Sequence, residues 1–227
     1  MELPPKEQLI RKEKPLDSLD GASAPAMPPI PLERFQVLEK VIRDTPITHD
    51  PYLELAQIYV SHQRFADARR VLDEAYKRFD DVEEVVFLRE ETQLLRSRQL
   101  AAEIQAEHEA EPTRLSQEKV DRALLEFNVL RESVSKARLA RHPEQLELCI
   151  PLAAALQYLG KSQEAIATLE RANTRADLRA TASLQLGILY NELGKVPEAL
   201  AALRRAALFR VPPPAADTKR RALKLAA

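Results

Sequence analysis

Apolar side chains return every three or four positions along most of this chain, the spacing of helices that bury one face. After Pro31, the segment LERFQVLEKVIRDTP places Leu32, Phe35, Leu38, Val41 and Ile42 on such a face. Proline suits a first helical position, and the helix should end before Pro46. The stretch PYLELAQIYVSHQRFADARRVLDEAYKRF then carries the pattern of two short helices. From residue 83 the pattern lengthens and predicts one helix from about Glu83 to His108 and a second from Arg114 to Arg141, broken at Pro112 within EAEPT. At ~1.5 Å per residue each would be about 40 Å long. Val120, Leu124, Phe127, Leu130, Val134 and Ala137 form an almost heptad stripe in the second, and Leu88, Leu95 and Ala102 a weaker one in the first. The pair reads as a long antiparallel hairpin. Short helices then resume until VPPPAAD, after which TKRRALKLAA opens another, read as a capping helix or the start of a further unit.

The short helices repeat. LELCIPLAAALQYLGKSQEAIATLERA and ATASLQLGILYNELGKVPEALAALRRA align at an offset of 34 residues, which sets Leu152 on Leu186, Ala153 on Gly187, Gly160 on Gly194, Ala165 on Ala199, Leu169 on Leu203 and Ala172 on Ala206. Leu55, Ala56, Tyr59, Ala68, Leu72 and Ala75 keep the same internal spacings and make a third copy. A fixed period of this length with small residues at set places marks a helix-turn-helix array in which each unit buries its face on its neighbours. Counting back one period from the first copy makes the 31–45 helix a half repeat that caps the start. Between the first and second copies the register breaks, because Ala56 and Ala153 are 97 residues apart and three whole units would need 102. The long hairpin is therefore inserted into the array or stacked within it.

These copies resemble tetratricopeptide repeats. The resemblance rests on Tyr52, Leu55, Ala56, Tyr59, Ala68, Leu72 and Ala75; on Cys149, Leu152, Ala153, Leu156, Ala165, Leu169 and Ala172; and on Leu186, Gly187, Tyr190, Ala199, Leu203 and Ala206. It covers a little under half the chain and departs from the family pattern at Ser183, Asp80 and Asp177. It implies an all-α solenoid interrupted by the long antiparallel hairpin. The expected organisation is a disordered Pro-rich tail over 1–30, a half repeat and first unit over 31–82, the hairpin over 83–143, two tandem units over 144–213 and a partial or capping helix over 214–227. Gly160 and Gly194 fall where a left-handed residue ends the first helix of a unit, with Ser162 as a cap and Pro197 just inside the next start. Pro151 is expected inside a first helix, where it would remove a ladder bond and bend it.

Composition agrees with helix and removes several functions. Gly occurs four times and Trp never, the formal net charge is −1, and 30% of residues are charged. That balance does not favour nucleic acid, even though Arg204, Arg205, Arg210, Lys219, Arg220, Arg221 and Lys224 gather near one end, since no interleaved aromatics beyond Phe209 accompany them. One cysteine, Cys149, gives no disulfide and reads as a small core filler. With no membrane-length apolar run and no signal-like start, the expected location is cytoplasmic. No cofactor, metal site or catalysis is expected. His49, His62, His108 and His142 are dispersed, and Gly160-Lys161-Ser162 lacks the glycine of a phosphate loop, Ala155 standing in its place.

The resemblance also implies that the first helix of each unit lines a concave groove. The matching positions are Leu53, Gln57 and Val60; Ile150, Gln157 and Tyr158; and Leu184, Ile188 and Asn191. This set is apolar with amides and lacks the cations of the family's carboxylate-clamp members. It implies a non-catalytic interaction scaffold for an apolar or helical segment of a partner protein, the alternative being self-assembly through the hairpin or the last helix. Because packing fixes volume at the repeated positions, Leu169→Ala should lower unfolding free energy by roughly 2–5 kcal/mol and Ala165→Leu by roughly 1–3 kcal/mol in denaturant titrations.

Overall fold

A computed structural model describes residues 32–44, 47–209 and 212–226, so the tail read over 1–30 and Arg210 lie outside the described residues. Helices follow one another: α1 (Leu32–Asp44), α2 (Asp50–Ser61), α3 (Phe65–Tyr76), α4 (Glu83–Ala110), α5 (Arg114–Arg141), a 3-10 turn (Leu146–Leu148), α6 (Cys149–Tyr158), α7 (Ser162–Asn173), α8 (Arg179–Glu192), α9 (Val196–Leu208) and α10 (Ala216–Ala226). No strand occurs among the described residues. Each helix packs on the next, and the even-numbered helices form an inner row in which α2 meets α4, α6 meets α8 and α8 meets α10. The row is broken at one place: α4 and α6 do not touch.

The repeated positions are the core. Ala68, Ala165 and Ala199 are buried, as are Leu72, Leu169 and Leu203 and then Ala75, Ala172 and Ala206. Small residues let paired helices close while one leucine fills the gap. Ser183, which departs from the family pattern, is as fully buried as Tyr52 and Cys149 at the same place, and its hydroxyl donates to Asn173 Oδ1 at 3.3 Å. Burial pushes the Cys149 thiol above its usual pKa, consistent with a filler. In the third unit the helices come closer still: a Cβ on Gly187 would lie 2.6 Å from Leu203 Cγ and 3.3 Å from the Leu203 backbone nitrogen.

The turns within the units share one geometry. Arg64 N donates to Tyr59 O, Lys161 N to Leu156 O and Lys195 N to Tyr190 O, at 2.8–2.9 Å. Each loop passes through a left-handed residue, Gly160 (φ 74) and Gly194 (φ 72) in two copies but Gln63 (φ 58) in the first. Two expectations change here. Ser162 is the first residue of α7; the N-cap is Lys161, whose side chain makes no capping bond, so the backbone turn itself closes the helix start. Pro151 is the third residue of α6, where helix N–H groups have no intrahelical partner, so it costs no ladder bond and the helix need not bend.

The hairpin is real, but its burial does not follow the heptad stripe. Ala102 and Ala137 are exposed, whereas α4 buries Val85, Thr92 and Ala101, and α5 buries Asn128, Glu132, Ser135 and Arg138 along with Val120, Ala123, Val134 and Leu139. Near its base α5 is enclosed by α4 on one side and by α6 on another, so burial spreads around the helix and takes in paired polar groups. Toward the tip, side-chain bonds join the hairpin to itself: Gln105 to Glu109, His108 to Ser116 and Gln117 to Asp121, with Thr113 and Ser116 capping each other. Strain at Gln63 makes it a target: Gln63→Gly should raise unfolding free energy by about 0.5–1 kcal/mol, the relief of a left-handed side chain less the added chain entropy. Gly187→Ala should lower it by about 1–3 kcal/mol through overpacking against Leu203, both read from urea unfolding.

Candidate protein-binding surface

The inner row brings some of the expected groove residues together and withdraws others. Leu53 and Gln57 of α2 line a hollow of about 460 Å³ whose other wall is Glu83, Glu84, Phe87 and Leu88 of α4. Val60 and Ile150 are half-buried against the cores of their units. On α6 and α8, Gln157 Nε2 donates to Glu192 Oε2 at 2.7 Å, Tyr158 is exposed, Asn191 is exposed, and Ile188 packs beside the last core cluster. Leu184 is not a surface residue. It is buried with Leu203, Ala206, Ala207 and Ala222, because α10 lies across α8 and α9 and covers that end of the face.

Sequence reasoning passed over the middle of the row. Where α4 and α6 part, a second hollow of about 480 Å³ has α4 and the α6 start as walls and α5 as floor, with Leu94, Leu95, Phe127, Arg131, Leu148 and Pro151 among its lining residues. The five-residue shortfall in register was the available sign that two inner helices were not spaced as a repeat spaces them. Arg131 carried a sign too, since Phe127, Asn128, Val134 and Ser135 at helical neighbour spacing offer it no acid.

Arg138 joins the two hollows. Its side chain is 9% exposed and donates to Glu90 Oε2 (2.9 Å), Glu91 Oε2 (3.1 Å) and the Phe87 carbonyl (3.2 Å), with the Phe87 ring 4.1 Å from its guanidinium carbon. Arg141 adds bonds to both Glu90 oxygens at 2.7 and 2.8 Å, and His142 meets Glu83. A buried guanidinium is tolerable only with such satisfaction. Phe87 is thereby held as a half-exposed wall of the first hollow.

On the far side of α5, Glu132 ties the hairpin to the C-terminal units. Its side chain, 11% exposed, accepts from Lys136 Nζ (2.7 Å) and Lys161 Nζ (2.7 and 2.8 Å). Bonds from Lys136, then from Lys161, hold its carboxyl below the usual glutamate pKa, outweighing desolvation. A depressed folded-state pKa gives stability that is present above the unfolded value of about 4.3 and lost as pH falls through the folded one. Glu132→Gln should therefore lower unfolding free energy by about 1–3 kcal/mol at pH 7, and the difference between variant and parent melting temperatures should narrow below pH ~4.

The tetratricopeptide repeat family model matches residues 151–216, from the first turn of α6 to the start of α10. A comparison with curated proteins finds no match. Among solved structures the chain is similar to a mutant of MamA (18% identity, 76% of this chain and 83% of that one, TM-score 0.46). It is similar also to YrrB, described as a TPR protein with an unusual peptide-binding site (15%, 84% and 99%, 0.48). A third is a thermophilic TPR protein from Thermus thermophilus (17%, 84% and 88%, 0.45). The 34-residue period, the buried Ala and Leu positions and the family match over both C-terminal copies agree: residues 151–216 carry tetratricopeptide repeats, set within an all-helical array among the described residues.

Proposed function

We propose that the chain is a non-catalytic interaction scaffold whose inner face holds an apolar or helical segment of a partner protein. The observation that carries this reading is the hollow between α2 and α4, where Leu53, Phe87 and Leu88 form an apolar floor beside the Gln57 amide. Such a surface suits the apolar stripe of a helix, with amides fixing orientation. Exposed Tyr158 and Asn191 extend the same row, and Gln157 and Glu192 supply a polar rim. The acidic pair Glu83 and Glu84 at the edge favours a segment that carries a cation beside its apolar residues.

Self-assembly is supported by a different observation. Leu115, Leu125 and Val129 on α5 and Leu223 and Leu225 on α10 are 45–65% exposed, which leaves apolar side chains open on the hairpin and on the last helix. Both readings meet one experiment. A random peptide library panned on the full chain should enrich apolar, helix-forming sequences, and Gln57→Ala and Tyr158→Ala should each weaken the best of them by about tenfold, equal to ~1.4 kcal/mol, without lowering the melting temperature. Acidic tails whose affinity collapses with salt would refute this groove. A concentration-dependent dimer in sedimentation, abolished by Leu125→Glu, would favour self-assembly.

A further inference from the structure

The gap between α4 and α6 holds a charge that the fold leaves unanswered. Of the arginines around it, Arg138 is consumed by Glu90, Glu91 and the Phe87 carbonyl. Arg131 has no ion pair or hydrogen bond among the described residues; its guanidinium lies 5.9 Å from the Phe127 ring. Desolvation by burial lowers its pKa from the usual arginine value, the mark of a cation withdrawn from water with no carboxylate to offset it. Around it stand Leu94, Leu95, Phe127, Leu148 and Pro151. An unpaired, half-buried fork set among apolar side chains is stabilised most by an anion that brings apolar neighbours of its own.

We propose that the cleft between α4, α5 and α6 is a docking slot for a partner protein segment in which one aspartate or glutamate, flanked by large apolar residues, pairs with Arg131. This rests on the scaffold reading above but uses a different surface from the α2–α4 hollow. A single carboxylate fits better than a phosphorylated side chain. The second charge of a phosphate would find no further unpaired guanidinium in the cleft except exposed Arg98, and it would face Glu91, which lines the same wall. The apolar lining on both sides of Arg131 likewise selects a chain segment over a free small acid. Within a partly desolvated cleft the pair is only weakly screened, so salt acts on it less than on a surface contact.

The test uses the full chain and a phage-displayed library of random peptides, with Kd values of the synthesised hits measured by fluorescence polarisation. Hits that occupy the slot share an acid between large apolar residues. Arg131→Gln, or replacement of that acid by its amide, weakens them about tenfold or more, the two changes together add little further, and Arg131→Lys falls between. Their affinity changes less than about tenfold between low and high salt. Thermal melting of Arg131→Gln reports folding, and removal of an unpaired charge leaves it unchanged or raised. Hits bound equally by parent and Arg131→Gln, but lost on Gln57→Ala, overturn the slot and leave the scaffold reading standing. A library with no hits overturns both. A dimer broken by Arg131→Gln overturns the proposed occupant, since a second copy then fills the cleft.

Discussion

The structure depends on one clasp. Since α4 and α6 do not meet on the inner row, the units before and after the hairpin are joined through the contact of α4 with α5, and the ion-paired part of that contact is Arg138 with its two glutamates. A guanidinium at 9% exposure in that place is strongly directional. Its planar fork fixes how α5 lies against α4, and Glu132 on another face of α5 fixes how the C-terminal units lie against α5. In the ordinary units the same task falls to alanine and leucine, which set distance by volume. At the hairpin it falls to charge, which sets orientation as well.

That division explains what could be read from residues alone. The Ala and Leu positions were legible because close packing allows little variation in volume, so a period of 34 survives wherever two helices pack directly. The turn glycines were legible for a similar reason, and Gln63 shows that the backbone geometry persists even where the chain does not supply glycine. The hairpin was legible in its existence and length but not in its burial. A heptad count looks for apolar residues, and here Glu132, Arg138 and Asn128 are buried while Ala137 is exposed. For Arg138 and Glu132 such burial depends on partners that are distant in sequence: 48 residues separate Arg138 from Glu90, and 29 separate Lys161 from Glu132.

The candidate surface was legible only in part. Leu53 and Gln57 line a hollow because their helix begins a regular unit. Leu184 does not, because α10 lies over it, and a short segment after three consecutive prolines gives no hint of which face it will cover. The gap at Arg131 arises from a contact that is missing, and its trace in the sequence is the break of register between Ala56 and Ala153, which does not say which side chains line the opening.

Phe87 stands with one side toward the α2–α4 hollow and its ring against Arg138, which lines the next hollow along the row. Whatever moves that ring on one side changes the stacking of the cation on the other. If segments occupied both hollows as proposed, thermodynamic linkage would make the influence mutual: occupation of either would alter the affinity of its neighbour by the same factor in both directions. On the proposed readings, a single aromatic ring would make two acts of binding interdependent.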